Sequence, residues 1–264
     1  MTPTLDYLHQ ANREIRKLLI TLRPQLLAAH GAIAHEHKED KSVVTELDRY
    51  VEERLRDALH RFDPGVGFGG EETGADYTQK TFWLVDPIDG TELFIRGIPH
   101  CTNMVMLISQ DQPVLSVIYN FVLDEYYLAI KNQGATRNGH RIQVSDRPLS
   151  RAYISLYGDA GLNFPGTGDR LRAIVAGMPK AHASGREYTW VAGGATDGTI
   201  CFSGSGNGHI WDHAPGAFMI QEAGGRVANI GSTAYDYRNT NLVAANPVIF
   251  DDLMRFITAA TTRK

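Results

Sequence analysis

Between Val66 and Ile130 the sequence offers five strand-like stretches, at 66–69, 82–86, 102–109, 113–121 and 125–130. Two of the gaps between them read as hairpin turns, Gln110-Asp111-Gln112-Pro113 and Leu123-Asp124-Glu125. Strands joined by such short turns pair antiparallel, because a parallel pair needs a long crossover. This tract therefore predicts a mostly antiparallel sheet, which needs a further layer to cover it.

The sequence before it supplies that layer. Leu5, Leu8, Ala11, Ile15, Leu18, Leu19, Leu22 and Leu26 recur at helical spacing. Thr2 can cap this helix, Pro3 suits its first turn, and Pro24 is expected to kink it or to start a second piece. Residues 31–45 are polar. Thr45-Glu46-Leu47-Asp48 then reads as a capping box ahead of a second helix, whose apolar face is Leu47, Val51, Leu55, Ala58, Leu59 and Phe62. Pro64-Gly65 ends it.

Beyond a weaker turn at Arg137-Asn138-Gly139-His140, strand and helix signals alternate. Strands are expected near 152–156, 198–202, 226–229 and 241–245, and helices near 168–177, 186–194, 212–223 and 247–260. The expected organisation is an α+β N-terminal subdomain over 1–145 and an α/β C-terminal subdomain over 146–264. Nothing between them reads as a linker, so the two are expected to form one compact unit.

Charge and composition exclude several functions. Lys plus Arg is 26 and Asp plus Glu is 30, a net charge of −4, which gives no bulk attraction to nucleic acid or an anionic membrane. Two cysteines, Cys101 and Cys201, exclude a disulfide framework and a CxxC zinc site. No apolar run approaches the ~18 residues of a membrane-spanning helix. Charged residues at Asp6, Arg13, Glu14, Arg16 and Lys17 occupy the place of a signal peptide's apolar core. A cytoplasmic protein is the expectation.

Three acidic segments carry the chemistry. In Trp83-Leu84-Val85-Asp86-Pro87-Ile88-Asp89-Gly90-Thr91 an apolar run delivers two aspartates onto a Pro-containing turn. Gly69-Gly70-Glu71-Glu72 follows another predicted strand, and Trp211-Asp212 opens a helix ending at Glu222-Ala223-Gly224-Gly225. Each has an ordinary explanation by itself: a turn aspartate, a solvated acidic loop, an Asp N-cap. If they converge, several carboxylates meet without a local cation, a repulsion that hard metal ions relieve. Oxygen donors without Cys or paired His favour Mg²⁺ over zinc. Two such ions ~3.5–4 Å apart suit in-line displacement at phosphorus. His35-Glu36-His37 resembles a metal cluster but lies in an exposed polar stretch.

These segments resemble the inositol monophosphatase superfamily of Mg²⁺-dependent, lithium-sensitive phosphatases. GEE stands at Gly70–Glu72, WxxDPIDGT at Trp83–Thr91, WD…EAGG at Trp211–Gly225, and a weaker KxDxSxVTxxD match at Lys38–Asp48. The resemblance implies a layered sandwich of alternating α and β layers, α+β then α/β, and commonly a homodimer. It implies two or three Mg²⁺ ions, held by Glu71, Asp86, Asp89, Asp212 and the carbonyl of Ile88. Thr91, with Asp48 behind it and Glu71 alongside, would be catalytic and orient the attacking water. The amides of Gly90 and Thr91 would hold phosphate, and Asp212 would also face the substrate. The implied reaction is hydrolysis of a small phosphate monoester, such as an inositol 1-phosphate-like polyol or sugar phosphate. Histidinol phosphatase, 3′-nucleotidase and fructose-1,6-bisphosphatase activities are the alternatives within this class. A catalytically silent metal- or ligand-binding protein is the alternative outside it.

The pattern departs from the family around the leaving group. Glu92 follows DGT where a small polar residue is usual. Ser205, in the loop Gly204-Ser205-Gly206-Asn207-Gly208, stands where the family's inositol-contacting Glu would be. Arg186 and Glu187 follow the segment that often reads GSAA, and either can face substrate. His213 is either a group lining the site or a packed histidine.

Overall fold

A computed structural model describes residues 3–34, 36–37, 43–75, 79–158, 185–202 and 209–261. The chain divides into two units, Met1–Lys131 with Ser184–Arg186, and Asn132–Ala183 with Glu187–Lys264.

In the first unit, α1 (Leu5–Ala29) is capped by Thr4, whose hydroxyl accepts from the Tyr7 amide at 3.2 Å. The cap is thus Thr4 rather than the expected Thr2. Pro24 lies inside α1 and does not end it. A short pair, β1 (Glu36–His37) with β2 (Val43–Val44), precedes α2 (Glu46–Phe62). The Thr45/Asp48 capping box forms as the sequence predicts.

The sheet of this unit contains β3 (Gly67–Gly70), β4 (Gly74–Ala75), β5 (Thr81–Asp89), β6 (Thr102–Ser109), β7 (Gln112–Asn120) and β8 (Glu125–Ile130). A short helix, α3 (Thr91–Ile95), follows β5 directly. The strands run in the order β8-β7-β6-β5-β3-β4, and all neighbours are antiparallel except β3 and β5. Val85, Val105, Leu107, Leu115 and Val117 on one face pack against Ile15, Leu19, Val51 and Leu55 of the two helices. Leu84, Met104, Met106 and Ile118 on the opposite face are buried too. Each fully buried aliphatic side chain contributes about 1.5–3 kcal/mol. Removing one, as in Leu55→Ala, would cost ~2–5 kcal/mol.

The second unit begins with a hairpin, β9 (Gly134–Arg137) and β10 (His140–Ile142), closed by the two residues Asn138-Gly139. The carboxylate of Glu222 accepts the Asn132 and Gly134 amides at 3.0 Å each. A four-stranded sheet follows, from β11 (Ile154–Gly158), β12 (Gly198–Phe202), β13 (Arg226–Asn229) and β14 (Leu242–Ala245), in the order β11-β12-β14-β13. Only β11 and β12 are parallel. Among the described residues, this half of the chain has three α-helices: α4 (Gly185–Ala192), α5 (Ile210–Glu222) and α6 (Phe250–Thr261). Ile249, Leu253 and Ile257 cover Ile154, Ile200, Val243 and Ala245 on one face of the sheet, while α5 packs on β13 and β14. Both units are layered α+β arrangements. The expected helix at 168–177 lies outside the described residues. Among the described residues, no helix is long and apolar enough to cross a membrane.

Candidate active site

β3 and β5 are parallel, and β3 ends at Gly70 opposite Val85, four residues before β5 ends at Asp89. The Glu71 amide donates to the Val85 carbonyl at 3.2 Å, so the backbone of Glu71 is fixed beside Asp86. Asp86 and Asp89 are buried, at 2 % and 4 % exposure. In a regular strand two residues three apart point to opposite faces, because the side-chain period is two. Here the register shifts: Asp86 pairs with Met104 and Asp89 with Thr102. Two residues of β5, Pro87 and Ile88, thus stand against one of β6, Asn103, which is a β-bulge. Met104 and Thr102 share a face of β6, so Asp86 and Asp89 share a face as well.

The groups around the bulge are hydrogen-bonded. Asp89 Oδ2 accepts from Thr102 Oγ1 and from the Gly185 amide, each at 2.8 Å. Asn103 Nδ2 donates to the Pro87 carbonyl at 2.5 Å. Asp86 Oδ1 is buried with no hydrogen bond on it. Gly90 turns the chain into α3 at φ +79°, and a Cβ there would come within 2.9 Å of the His100 carbonyl oxygen.

Asp48 and Thr91 meet at this turn. Thr91 Oγ1 lies 3.1 Å from Asp48 Oδ1 and 2.8 Å from the Ile88 carbonyl oxygen, and its one proton serves one of them at a time. Asp48 Oδ2 accepts from the Thr45 amide at 2.8 Å and the Thr45 hydroxyl at 2.5 Å. Burial pushes the Asp48 carboxyl up to about 7 against the two Thr45 hydrogen bonds, and the charges of Glu72 and Glu71 push the same way.

A residue missed in the sequence holds the GEE loop. Glu52 is 1 % exposed and accepts from the Glu72 amide at 2.8 Å, the Thr73 hydroxyl at 2.6 Å and Arg56 at 3.0 Å. A Cβ on Gly70 would overlap its carboxylate. Glu52 falls four residues after Asp48 and three before Leu55. A second acid on the buried stripe of α2 was therefore the available signal. Thr102 and Asn103 carried no comparable signal, since both sit inside an apolar strand.

The other expected site residues are placed as follows. Glu92 is exposed and accepts from Arg96 at 2.7 Å. Arg186 pairs with Glu125, and Glu187 is buried. In the second unit, Asp212 lies in the first turn of α5 and is partly exposed, and His209, not Asp212, is the N-cap residue. Asp212 Oδ2 is 4.0 Å from His209 Nδ1, and His209 stacks on Trp211. His213 is packed: the Tyr188 hydroxyl is 2.9 Å from its Nδ1 and Cys201 Sγ is 3.7 Å from its Nε2. Burial lowers its pKa to about 4, so the imidazole is neutral. Ser205 and His35 lie outside the described residues. Among the described residues, no three His, Cys, Asp or Glu side chains form a ready-made cation cluster.

The model of the "Inositol monophosphatase family" matches residues 6–261. Inositol monophosphatase 2 of Solanum lycopersicum is 31% identical over 237 residues, 84% of this chain and 89% of that protein. A histidinol-phosphatase of Mycobacterium tuberculosis is 31% identical over 231 residues, 84% and 87% of the two chains. The solved structure of the extragenic suppressor protein suhB from Bartonella henselae superposes with a TM-score of 0.83 at 28% identity, covering 94% of this chain and 98% of its own. The chain belongs to the inositol monophosphatase family, whose members hydrolyse phosphate monoesters.

Proposed function

We propose that this chain hydrolyses a small polyol or sugar phosphate with Mg²⁺, using Glu71, Asp86, Asp89, Asp212 and the Ile88 carbonyl as ligands to two or three ions. The observation that carries the reading is the bulge that sets two buried aspartates on one face of β5. The donors there are carboxylate, carbonyl and hydroxyl oxygens, a set that fits Mg²⁺ better than a softer metal. Asp212 joins the set through its WD motif. When bound, Mg²⁺ would polarise the phosphoryl group and acidify a water molecule.

The residues of the chain do the rest. Thr91 is too weak a base to take a proton outright, but its hydroxyl can accept a hydrogen bond from water while donating to Asp48. Thr45 holds Asp48 in place for that donation. Gly90 and Thr91, at the start of α3, offer backbone amides to phosphate oxygens. Glu92, Arg186, Glu187 and Ser205, which stand where the sequence departs from the family pattern, are the candidates for selecting among polyol, sugar and histidinol phosphates. The enzyme is cytoplasmic and a homodimer, as the family likeness implies.

A phosphate-release screen of the purified protein, with and without Mg²⁺, tests this. The panel contains inositol 1-phosphate, histidinol phosphate, fructose 1,6-bisphosphate, glycerol 2-phosphate and adenosine 3′,5′-bisphosphate. Mg²⁺-dependent release from a polyol or sugar phosphate is expected. A strong response to histidinol phosphate alone would replace the substrate. Silence across the panel while Mg²⁺ still binds would favour the catalytically silent reading.

A further inference from the structure

Asn103 is fully buried, the second residue of β6, opposite the two bulged residues of β5. Its Nδ2 takes the Pro87 carbonyl, which the bulge has turned out of the ladder with β6. Its Oδ1 is buried and accepts no hydrogen bond. For stability alone this is a poor use of the position. One hydrogen bond gained is offset by one polar atom left desolvated and unsatisfied, so the net gain is small. The neighbours of Asn103 show where the gain lies. Met104 is the register partner of Asp86, and Thr102 is both the register partner of Asp89 and a donor to its carboxylate. In a regular ladder without the bulge, the two aspartates, three residues apart, would point to opposite faces of the sheet. A bulge is a means of re-aiming a side chain, and this one needs a partner for its displaced carbonyls. The Ile88 carbonyl has Thr91, and the Pro87 carbonyl has Asn103.

We infer that Asn103 is a positioning residue for the Asp86–Asp89 pair: its side-chain amide clamps the Pro87 carbonyl and so locks the bulge that presents both carboxylates on one face. The inference rests on the reading of these aspartates as Mg²⁺ ligands. Asn103 touches neither the substrate nor a ligand carboxylate. It acts through the backbone of β5, as groups behind a metal site do when they orient its ligands.

The test compares the chelator-stripped full chain with Asn103→Leu, which keeps the branched four-atom outline, and Asn103→Ala, which does not. Binding of MgCl₂ is measured by titration calorimetry, and the Tm of the metal-free protein by circular dichroism. Asn103→Leu is expected to weaken Mg²⁺ binding on the order of 10–100-fold while its metal-free Tm falls only slightly, because the Pro87 carbonyl loses its donor but the unsatisfied Oδ1 goes with it. Asn103→Ala is expected to show the same loss of affinity with a lower Tm. If Asn103→Leu does not fold, the titration of Asn103→Ala decides. A merely structural role would lower Tm in both variants and leave affinity within twofold of the parent, which would overturn the inference. Failure of both variants to fold would do the same. If the parent chain itself binds no Mg²⁺, the assignment of ligands falls first and the inference with it, a pattern distinct from equal binding by parent and variant.

Discussion

Thr91 Oγ1 lies 3.1 Å from Asp48 Oδ1 across 43 residues of sequence, joining the start of α2 to the turn after β5. The same hydroxyl is 2.8 Å from the Ile88 carbonyl oxygen, so its proton has two destinations. Thr91→Ala removes the donor and is expected to lower kcat by ~10²–10⁴, the range for a lost proton-transfer group. Thr91→Ser keeps the hydroxyl and should retain most of the rate. Steady-state phosphate release by the two variants checks this, and equal losses in both would show that the methyl group matters rather than the proton.

Asp48 ties pH to stability. Its pKa rises from 3.8 to about 7 on folding, chiefly through burial. A carboxyl with a raised folded-state pKa contributes stability that is complete below its unfolded value and is lost as pH rises through the folded one. The Asp48 contribution in the metal-free protein therefore declines between pH ~4 and ~7. Asp48→Asn stays neutral, and its amide oxygen can still accept both Thr45 bonds. Urea unfolding should show similar stability of parent and variant near pH 4, and a more stable variant at pH 8. Turnover should fall at every pH, because the Thr91 proton loses its acceptor. A parent and variant that diverge at low pH instead would refute the assignment.

Glu52 should matter to the loop more than to the core. Glu52→Ala leaves the Glu72 amide, the Thr73 hydroxyl and Arg56 without their shared acceptor. The expected loss is about 2 kcal/mol, kept modest because Arg56 is partly exposed and water can replace its partner. Glu52→Gln keeps the acceptor oxygen and should lose less. Hydrogen exchange at Glu72 and Thr73 should quicken in the Ala variant while the α2 interior is unchanged. Uniform quickening throughout α2 would mean that Glu52 serves the helix and not the loop.

Much of this was legible in the sequence, for definite reasons. Strand-like apolar stretches and tight turns set β6, β7 and β8 almost to the residue, and the Thr45/Asp48 spacing gave the capping box. The DPIDGT and GEE segments singled out Asp86, Asp89 and Glu71, and the roles proposed for them came from the family resemblance of those segments. The bulge was not legible. It arises from the register between β5 and β6, which no local pattern encodes, and Asn103 makes sense only once Pro87 is seen opposite it. Thr4 displaced Thr2 as the cap because the helix begins at Leu5, a boundary that two neighbouring threonines leave ambiguous. The N-cap of α5 fell to His209 for a similar reason: Asp at a helix start can sit within the first turn, where the dipole also favours it.

Asp89 separates folding from metal binding. Its Oδ2 accepts from Thr102 and the Gly185 amide, and the amide oxygen of Asn could accept both bonds unchanged. Asp89→Asn also removes one of two buried negative charges on the same face. The metal-free variant should therefore be at least as stable as the parent, while turnover falls by orders of magnitude. Mg²⁺ at a hundredfold excess over its Kd would stabilise the parent by about 2.7 kcal/mol, a rise in Tm of about 5–10 °C for a chain of this size. In Asp89→Asn that rise should be much smaller, because a neutral amide is a poorer ligand for a hard cation. Thermal unfolding with Mg²⁺ and with EDTA reads both effects in one experiment. An equal rise in parent and variant would remove Asp89 from the ligand set, whereas a variant already unstable in EDTA would mean that its charge supports the fold.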